Sequence, residues 1–174
     1  MQHLRTERLY LIPCSLDEAK SVVSCNTVSD FKRADNWPSE DIKRFLPHYI
    51  KLLVCDPLLL GWGVWLMVHD FEQKIIGDLG FKGRPDTNGT VEIGYGIVPE
   101  YRRQGYTFEA AKTLVSWAFG QNTVYKIIAE CTEDNTPSIR ILEKLRMRPI
   151  SSSNGMLKWE LGKNLWRVST SHNS

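Results

Sequence analysis

The sequence predicts an α/β (α+β) domain in which helices cover a mixed β-sheet, and three observations carry that prediction. Period-two apolar segments cluster between Val64 and Val98, separated by polar turns. After Val98 the pattern alternates between helix and strand periods as far as Leu161. No internal repeat and no low-complexity linker divides the chain. Residues 1–163 therefore read as one domain, and 164–174 as a loose polar tail in which Leu165, Trp166 and Val168 are suited to docking.

Arg8-Leu9-Tyr10-Leu11-Ile12 reads as a short strand stopped by Pro13, and Ser15-Leu16-Asp17-Glu18 has the S-x-x-E spacing of a capping box that starts a helix. Ser39-Glu40-Asp41 opens a second helical stretch toward Val54. Pro47 is expected to split or kink it, because its ring blocks the preceding turn. Val64 to Val68 and Lys74 to Phe81 form a hairpin around the polar turn Asp70 to Gln73. The turn formers from Gly83 to Gly89 then deliver the chain to a third strand, Thr90 to Val98. Pro99 to Gly105 is a compact loop before a helix in which Ala110, Leu114, Val115, Ala118 and Phe119 recur at helical spacing. Lys126 to Cys131 reads as a buried strand, Thr136 to Leu145 as a helix with Ile139, Leu142 and Leu145 on one side, and Met156 to Leu161 as a last strand.

The composition excludes several function classes. Among 174 residues, 22 basic and 20 acidic side chains leave a net charge of only +2, and the cations are scattered, which is no nucleic-acid footprint. No segment approaches the ~18 uninterrupted apolar residues of a membrane helix. Met1 to Arg5 does not lead into a secretory apolar region, so a cytoplasmic location is expected. Cys14, Cys25, Cys55 and Cys131 are far apart, with no C-x-x-C pair, and are expected to be reduced and mostly buried. His3, His48, His69 and His172 are isolated, so no metal site is expected and each imidazole reads as a surface or structural group.

The strand from Val91 to Val98 carries the first chemical signal. By its period of two, Val91, Ile93, Tyr95 and Ile97 share one face, and Glu92, Gly94 and Gly96 share the other. Glycines inside a strand forgo packing and mark a bulge or the approach of a ligand, so the second face suggests a cleft beside Glu92. The strand runs directly into a glycine-containing loop and a helix N-terminus. Free backbone N–H groups, the helix dipole and the charges of Arg102 and Arg103 favour a phosphate there.

These residues also carry a resemblance. Pro99-Glu100-Tyr101-Arg102-Arg103-Gln104-Gly105-Tyr106-Thr107-Phe108-Glu109-Ala110, following Glu92-Ile93-Gly94-Tyr95, resembles the acetyl-CoA signature Q/R-x-x-G-x-G/A of the GNAT superfamily, matched on Arg102, Gly105 and Thr107. Thr6-Glu7-Arg8-Leu9-Tyr10-Leu11 and Asn135-Thr136-Pro137-Ser138 are similar to the subgroup that acetylates the N-termini of ribosomal proteins. The likeness spans about Leu4 to Leu161.

The resemblance implies a mostly antiparallel central sheet of about six to seven strands flanked by helices, with one strand splayed at the acetyl-CoA site. It further implies that Gly96, Ile97 and Val98 pair with the pantetheine arm and that amides from Arg103 through Gln104, Gly105 and Tyr106 to Thr107 cradle the pyrophosphate, beside Arg102. Asn135 and Ser138 would lie near the thioester sulfur, with Asn135 also capping its helix. Three departures stand out. Thr107 replaces a small Gly or Ala, Leu142 stands where several relatives carry a tyrosine acid, and Arg146-Met147 replaces Gly-Phe at a helix end. A non-Gly residue in a left-handed C-cap there would cost about 1 kcal/mol.

The implied reaction is direct attack of a primary amine on the thioester of acetyl-CoA, with CoA thiolate leaving and no enzyme nucleophile or metal. An amine near pKa 10 arrives protonated, so a base is needed, and Glu92 is the candidate, directly or through a water. Backbone donors near Ile97 and Val98 would polarise the carbonyl, and Ser138 would attend the leaving sulfur. A non-catalytic acetyl-CoA-binding or sensor module is the alternative. A nucleotide-binding phosphotransferase ranks below both, for want of G-x-x-x-x-G-K-[ST]. The acceptor stays open between a peptide N-terminus, a small amine and an aminoglycoside-like molecule, and the protein between a monomer and a homodimer. The segment from Asn26 to Gly61, with Phe31, Trp37, Phe45 and Tyr49, is expected to shape the acceptor pocket while those aromatics serve mainly as core.

Overall fold

A computed structural model describes residues 3–24 and 31–170; Cys25 and His172 lie outside them. The strands are β1 (Leu4–Arg5), β2 (Leu9–Pro13), β3 (Lys32–Arg33), β4 (Val64–His69), β5 (Lys74–Phe81), β6 (Thr90–Ile97), β7 (Lys126–Thr132), β8 (Arg148–Ser153) and β9 (Met156–Gly162). The helices are α1 (Leu16–Val23), α2 (Glu40–Cys55), α3 (Tyr106–Gly120), α4 (Thr136–Lys144) and α5 (Lys163–Thr170). They form one mixed, mostly antiparallel sheet in the order β1-β2-β4-β5-β6-β7-β9-β8, with helices on its faces. The short β3 lies off this path and takes the edge of β5 at Lys74 and Ile75, beyond the end of β6.

The junction of β6 and β7 positions the site. These strands pair in parallel only from Thr90 to Glu92 on one side and Lys126 to Ile128 on the other. Both continue past that point, β6 to Ile97 and β7 to Thr132, so they part and leave a wedge in the sheet. One face of β6 turns its side chains toward α3 and α4: Phe81, across from Ile93, stacks on Trp117 of α3, and Tyr95 meets Ser138 of α4. The opposite face, with Glu92, Gly94 and Gly96, lies on the side of α1 and α2. There Trp37 bonds to Asp78, the β5 partner of Gly96.

Local signals account for most element ends. Ser15 and Glu18 form the reciprocal capping box at α1, and the Ser39 side chain caps α2. Pro47 does not split α2, contrary to expectation: the helix runs unbroken from Glu40 to Cys55. Burial of Leu46, Tyr49 and Leu53, together with the 3.0 Å bond from the Tyr49 hydroxyl to the Cys14 carbonyl, opposes the roughly 3 kcal/mol that an interior proline costs. At the end of α4, Arg146 adopts φ 61°, and the Met147 N–H closes the turn on the Leu142 carbonyl at 3.0 Å. This is the strained left-handed cap that Arg in place of Gly implies.

The expected loose tail is corrected over its first part. Residues 163–170 are helical, and Trp166, 8% exposed, packs its ring on Phe119 at 6.3 Å. Of the described cysteines, Cys14 and Cys131 are buried, whereas Cys55 is exposed at the end of α2.

Candidate active site

A cleft of about 1060 Å³ opens from the parted strands over the start of α3, and Tyr95, Gly96, Ile97, Arg102, Arg103 and Gly105 are among its walls. A smaller recess of about 170 Å³ continues it between Gly94 on β6 and Cys131 on β7. Tyr95, Asn135 and Ser138 border both.

The floor of the wide end is built for an anion. Arg103 (φ 61°) and Gly105 (φ 86°) are both left-handed, and an alternation of this kind turns successive N–H groups into one concavity. Gly105 is the N-cap of α3 and no side chain caps that terminus, which leaves its first N–H groups, from Tyr106 and Thr107 onward, for a ligand. Arg102 and Arg103 add positive charge at the rim. Gln104 holds its own loop, donating from Nε2 to the Glu100 carbonyl at 3.0 Å. Thr107, which replaces a smaller residue, is only 8% exposed and borders the cleft.

Arg8 fixes this loop, a role that sequence reasoning missed. Its guanidinium donates to the Gln104 carbonyl at 3.1 Å, sits over the Tyr106 ring at 4.1 Å, and pairs with Glu109 in the first turn of α3 at 2.7 Å. Burial pushes the Glu109 carboxyl up, but hydrogen bonds from Thr6 and from the Arg8 main chain and side chain outweigh it and hold it below its ordinary value. His69 supports the same corner structurally, its Nε2 lying 3.0 Å from the Tyr106 hydroxyl. His48 lies exposed on α2.

Main-chain bonding along β6 shows which groups face the wedge. The Lys82 N–H bonds to the Glu92 carbonyl, and the Val98 N–H bonds to the Ile76 carbonyl at 3.0 Å. The even-numbered residues of this stretch therefore direct their backbone groups to β5, and by alternation Tyr95 and Ile97 direct theirs to the wedge. Val98, whose N–H is already engaged, is thus corrected as a carbonyl-polarising donor, and Gly96 and Val98, whose main chains turn to β5 and to the following turn, are corrected as main-chain partners of the pantetheine arm.

On α4, the Asn135 side chain accepts from the Ser138 N–H at 3.1 Å, which is the capping role, and the Ser138 Oγ lies 2.9 Å from the Tyr95 hydroxyl. Burial pushes the Tyr95 phenol up to about 12 against the lowering effect of the Ser138 bond. Leu142 is fully buried, so a hydrocarbon fills the place of the tyrosine acid. Of the three phenols that border the cleft, Tyr101 bonds to Glu72 and Tyr106 to His69, while Tyr95 meets Ser138.

Glu92 is paired with Lys82 on the sheet face away from Tyr95, beside the gap left by Gly94. Asp78, read in the sequence only as part of a strand, shares that face. Among the described residues no group of three or more His, Cys, Asp or Glu side chains could hold a metal ion, and no helix is long and apolar enough to cross a membrane.

Residues 8–148 match the family model described as an acetyltransferase (GNAT) domain. The chain belongs to the GNAT acetyltransferases. It is an N-acetyltransferase, and its family uses acetyl-CoA as the acetyl donor. Among GNAT relatives, YjdG of Bacillus subtilis, named an uncharacterized N-acetyltransferase, is 36% identical over 146 residues, covering 82% of this chain and 87% of YjdG. A ribosomal-protein-alanine acetyltransferase from Vibrio fischeri superposes with a TM-score of 0.69 at 17% identity, covering 95% of this chain and 99% of the other. RimL, a ribosomal alpha-N-protein acetyltransferase solved in complex with coenzyme A, gives 0.67 at 15% identity, covering 94% and 99%. At such identities the last two establish the GNAT fold alone.

Proposed function

We propose that this GNAT enzyme moves an acetyl group from acetyl-CoA to a primary amine, by direct attack, at the point where β6 and β7 part. The observation that carries this reading is the continuity of one cleft from the wedge to the uncapped, left-handed start of α3, which suits pantetheine at one end and pyrophosphate at the other.

In this reading the amides of Arg103 to Thr107 hold the pyrophosphate, with Arg102 beside them. The pantetheine arm pairs with the main chain of Tyr95 and Ile97, while Gly96 between them leaves its side of the strand clear and Val98 anchors the strand to β5. The Tyr95 and Ile97 N–H groups replace Val98 as donors to the thioester carbonyl. Asn135 caps α4 and so orients Ser138, whose hydroxyl, held by Tyr95, attends the sulfur as the thiolate leaves. Glu92 takes a proton from the acceptor nitrogen directly or through a water. Residues 1–163 work as one catalytic domain in the cytoplasm.

The acceptor class is a peptide N-terminus or a small amine. The Thr6 to Leu11 and Asn135 to Ser138 marks favour the peptide. The test is release of free thiol from acetyl-CoA in the presence of peptides, polyamines and amino sugars. Amine-dependent release with at least one class is the expected result. Acetyl-CoA binding with no release for any amine would leave a binding module instead.

A further inference from the structure

The sheet face opposite the cofactor cleft is open at its two glycines. A methyl group on Gly94 would meet nothing within 4 Å, and one on Gly96 would meet Asp78 Oδ1 at 3.8 Å. Open space therefore adjoins the parted strands at Gly94 on the side of α1 and α2, with a carboxylate to either side of it. Glu92, on one side, is already paired with Lys82. Asp78, on the other, is 8% exposed and among the described residues bonds to a neutral donor, the Trp37 Nε1 at 2.9 Å.

No cation offsets the Asp78 charge among the described residues. Asp41 at the start of α2 and the Cys14 thiol after β2 face it, with Glu18 of α1 and Tyr49 of α2 grouped around Cys14. A carboxylate buried without a cation is costly, and a site keeps that cost where a cation or a proton is to be received.

We propose that Asp78 receives the acceptor's ammonium group through the Gly94 and Gly96 gap and takes its first proton, so that the site selects amines arriving as cations. This rests on the acetyl-transfer reading above. One N–H proton passes to the Asp78 carboxylate, and the freed nitrogen lone pair forms the C–N bond to the thioester carbonyl carbon. As the C–S bond breaks, the second proton leaves the nitrogen by way of Glu92 or water and ends on the thiolate. Asp78 returns its proton to solvent when the amide departs. The net products are amide, CoA thiol and one proton.

Burial pushes the Asp78 carboxyl up to about 7, while the Trp37 hydrogen bond lowers it and the Asp41 charge raises it further. A proton acceptor must be ionised, so kcat/KM for the amine should fall as pH drops below about 7. The experiment is this pH profile in the wild type, Asp78→Asn and Trp37→Phe, with the best amine from the thiol-release panel and acetyl-CoA affinity measured in parallel.

Asp78→Asn is expected to lose the limb and to lower kcat/KM for the amine about 10²-fold, with acetyl-CoA affinity unchanged. Trp37→Phe removes the hydrogen bond that favours the ionised form, so its limb should move to higher pH with the plateau kept. Wild-type rate and limb in Asp78→Asn would overturn the proposal, and if that variant does not fold, an unmoved limb in Trp37→Phe overturns it. A wild type that transfers to no amine defeats the acetyl-transfer reading; a wild type that does, matched by Asp78→Asn, defeats only the assignment of Asp78.

Discussion

Gly105→Glu is expected to lower acetyl-CoA affinity by about 10²-fold or more while leaving the protein folded. Gly105 has φ 86°, where an L-residue costs about 1–2 kcal/mol, and it walls the wide end of the cleft. The new carboxylate would stand at the α3 N-terminus, where the helix dipole favours negative charge, so part of the strain is offset in the free protein. In the complex that same charge would face the pyrophosphate on the same N–H groups. Binding is therefore hit far harder than folding. Gly105→Ala separates the two effects, since it carries the backbone strain without the charge and meets only the end of the Arg8 side chain, at 3.4 Å. Titration calorimetry measures both variants, and wild-type affinity in Gly105→Glu would contradict the placement of the phosphates.

Glu92→Gln is expected to do the reverse, lowering kcat by about 10²-fold with acetyl-CoA affinity held within about twofold. The Glu92 side chain lies on the sheet face away from the cofactor cleft and is not part of its walls, so cofactor contacts survive the change. The amide keeps the shape but takes no proton from the nitrogen and loses the charge that holds Lys82. Steady-state kinetics with saturating amine decide the matter, and an unchanged kcat would remove Glu92 from the mechanism.

What the sequence made legible follows from the range of the forces involved. The faces of β6, the capping box of α1 and the glycine-containing start of α3 are set by residues a few positions apart, so period and spacing expose them. Arg8 and Glu109 are 101 residues apart, and nothing near either marks the pair. Asp78 looks like an ordinary polar residue of a hairpin strand, and only the fold brings Trp37, 41 positions earlier, over it. β8 escaped notice because all six of its residues are exposed, so it buries no face that would impose alternation. Pro47 misled because a local rule about helix interiors met a helix whose buried stripe holds it together. Val98 lies just past the end of β6, and its hydrogen-bonding direction depends on register with β5, which the sequence does not reveal.

Acetyl-CoA is expected to span one cleft, from the main chain of Tyr95 and Ile97 to the amides at the start of α3. Amide hydrogen exchange with and without CoA tests it most directly. Added protection is expected in two separate segments, 95–97 and 103–108, with little change along β8 or α2. Protection confined to one of those segments, or appearing instead on the Asp78 and Glu92 face, would contradict it.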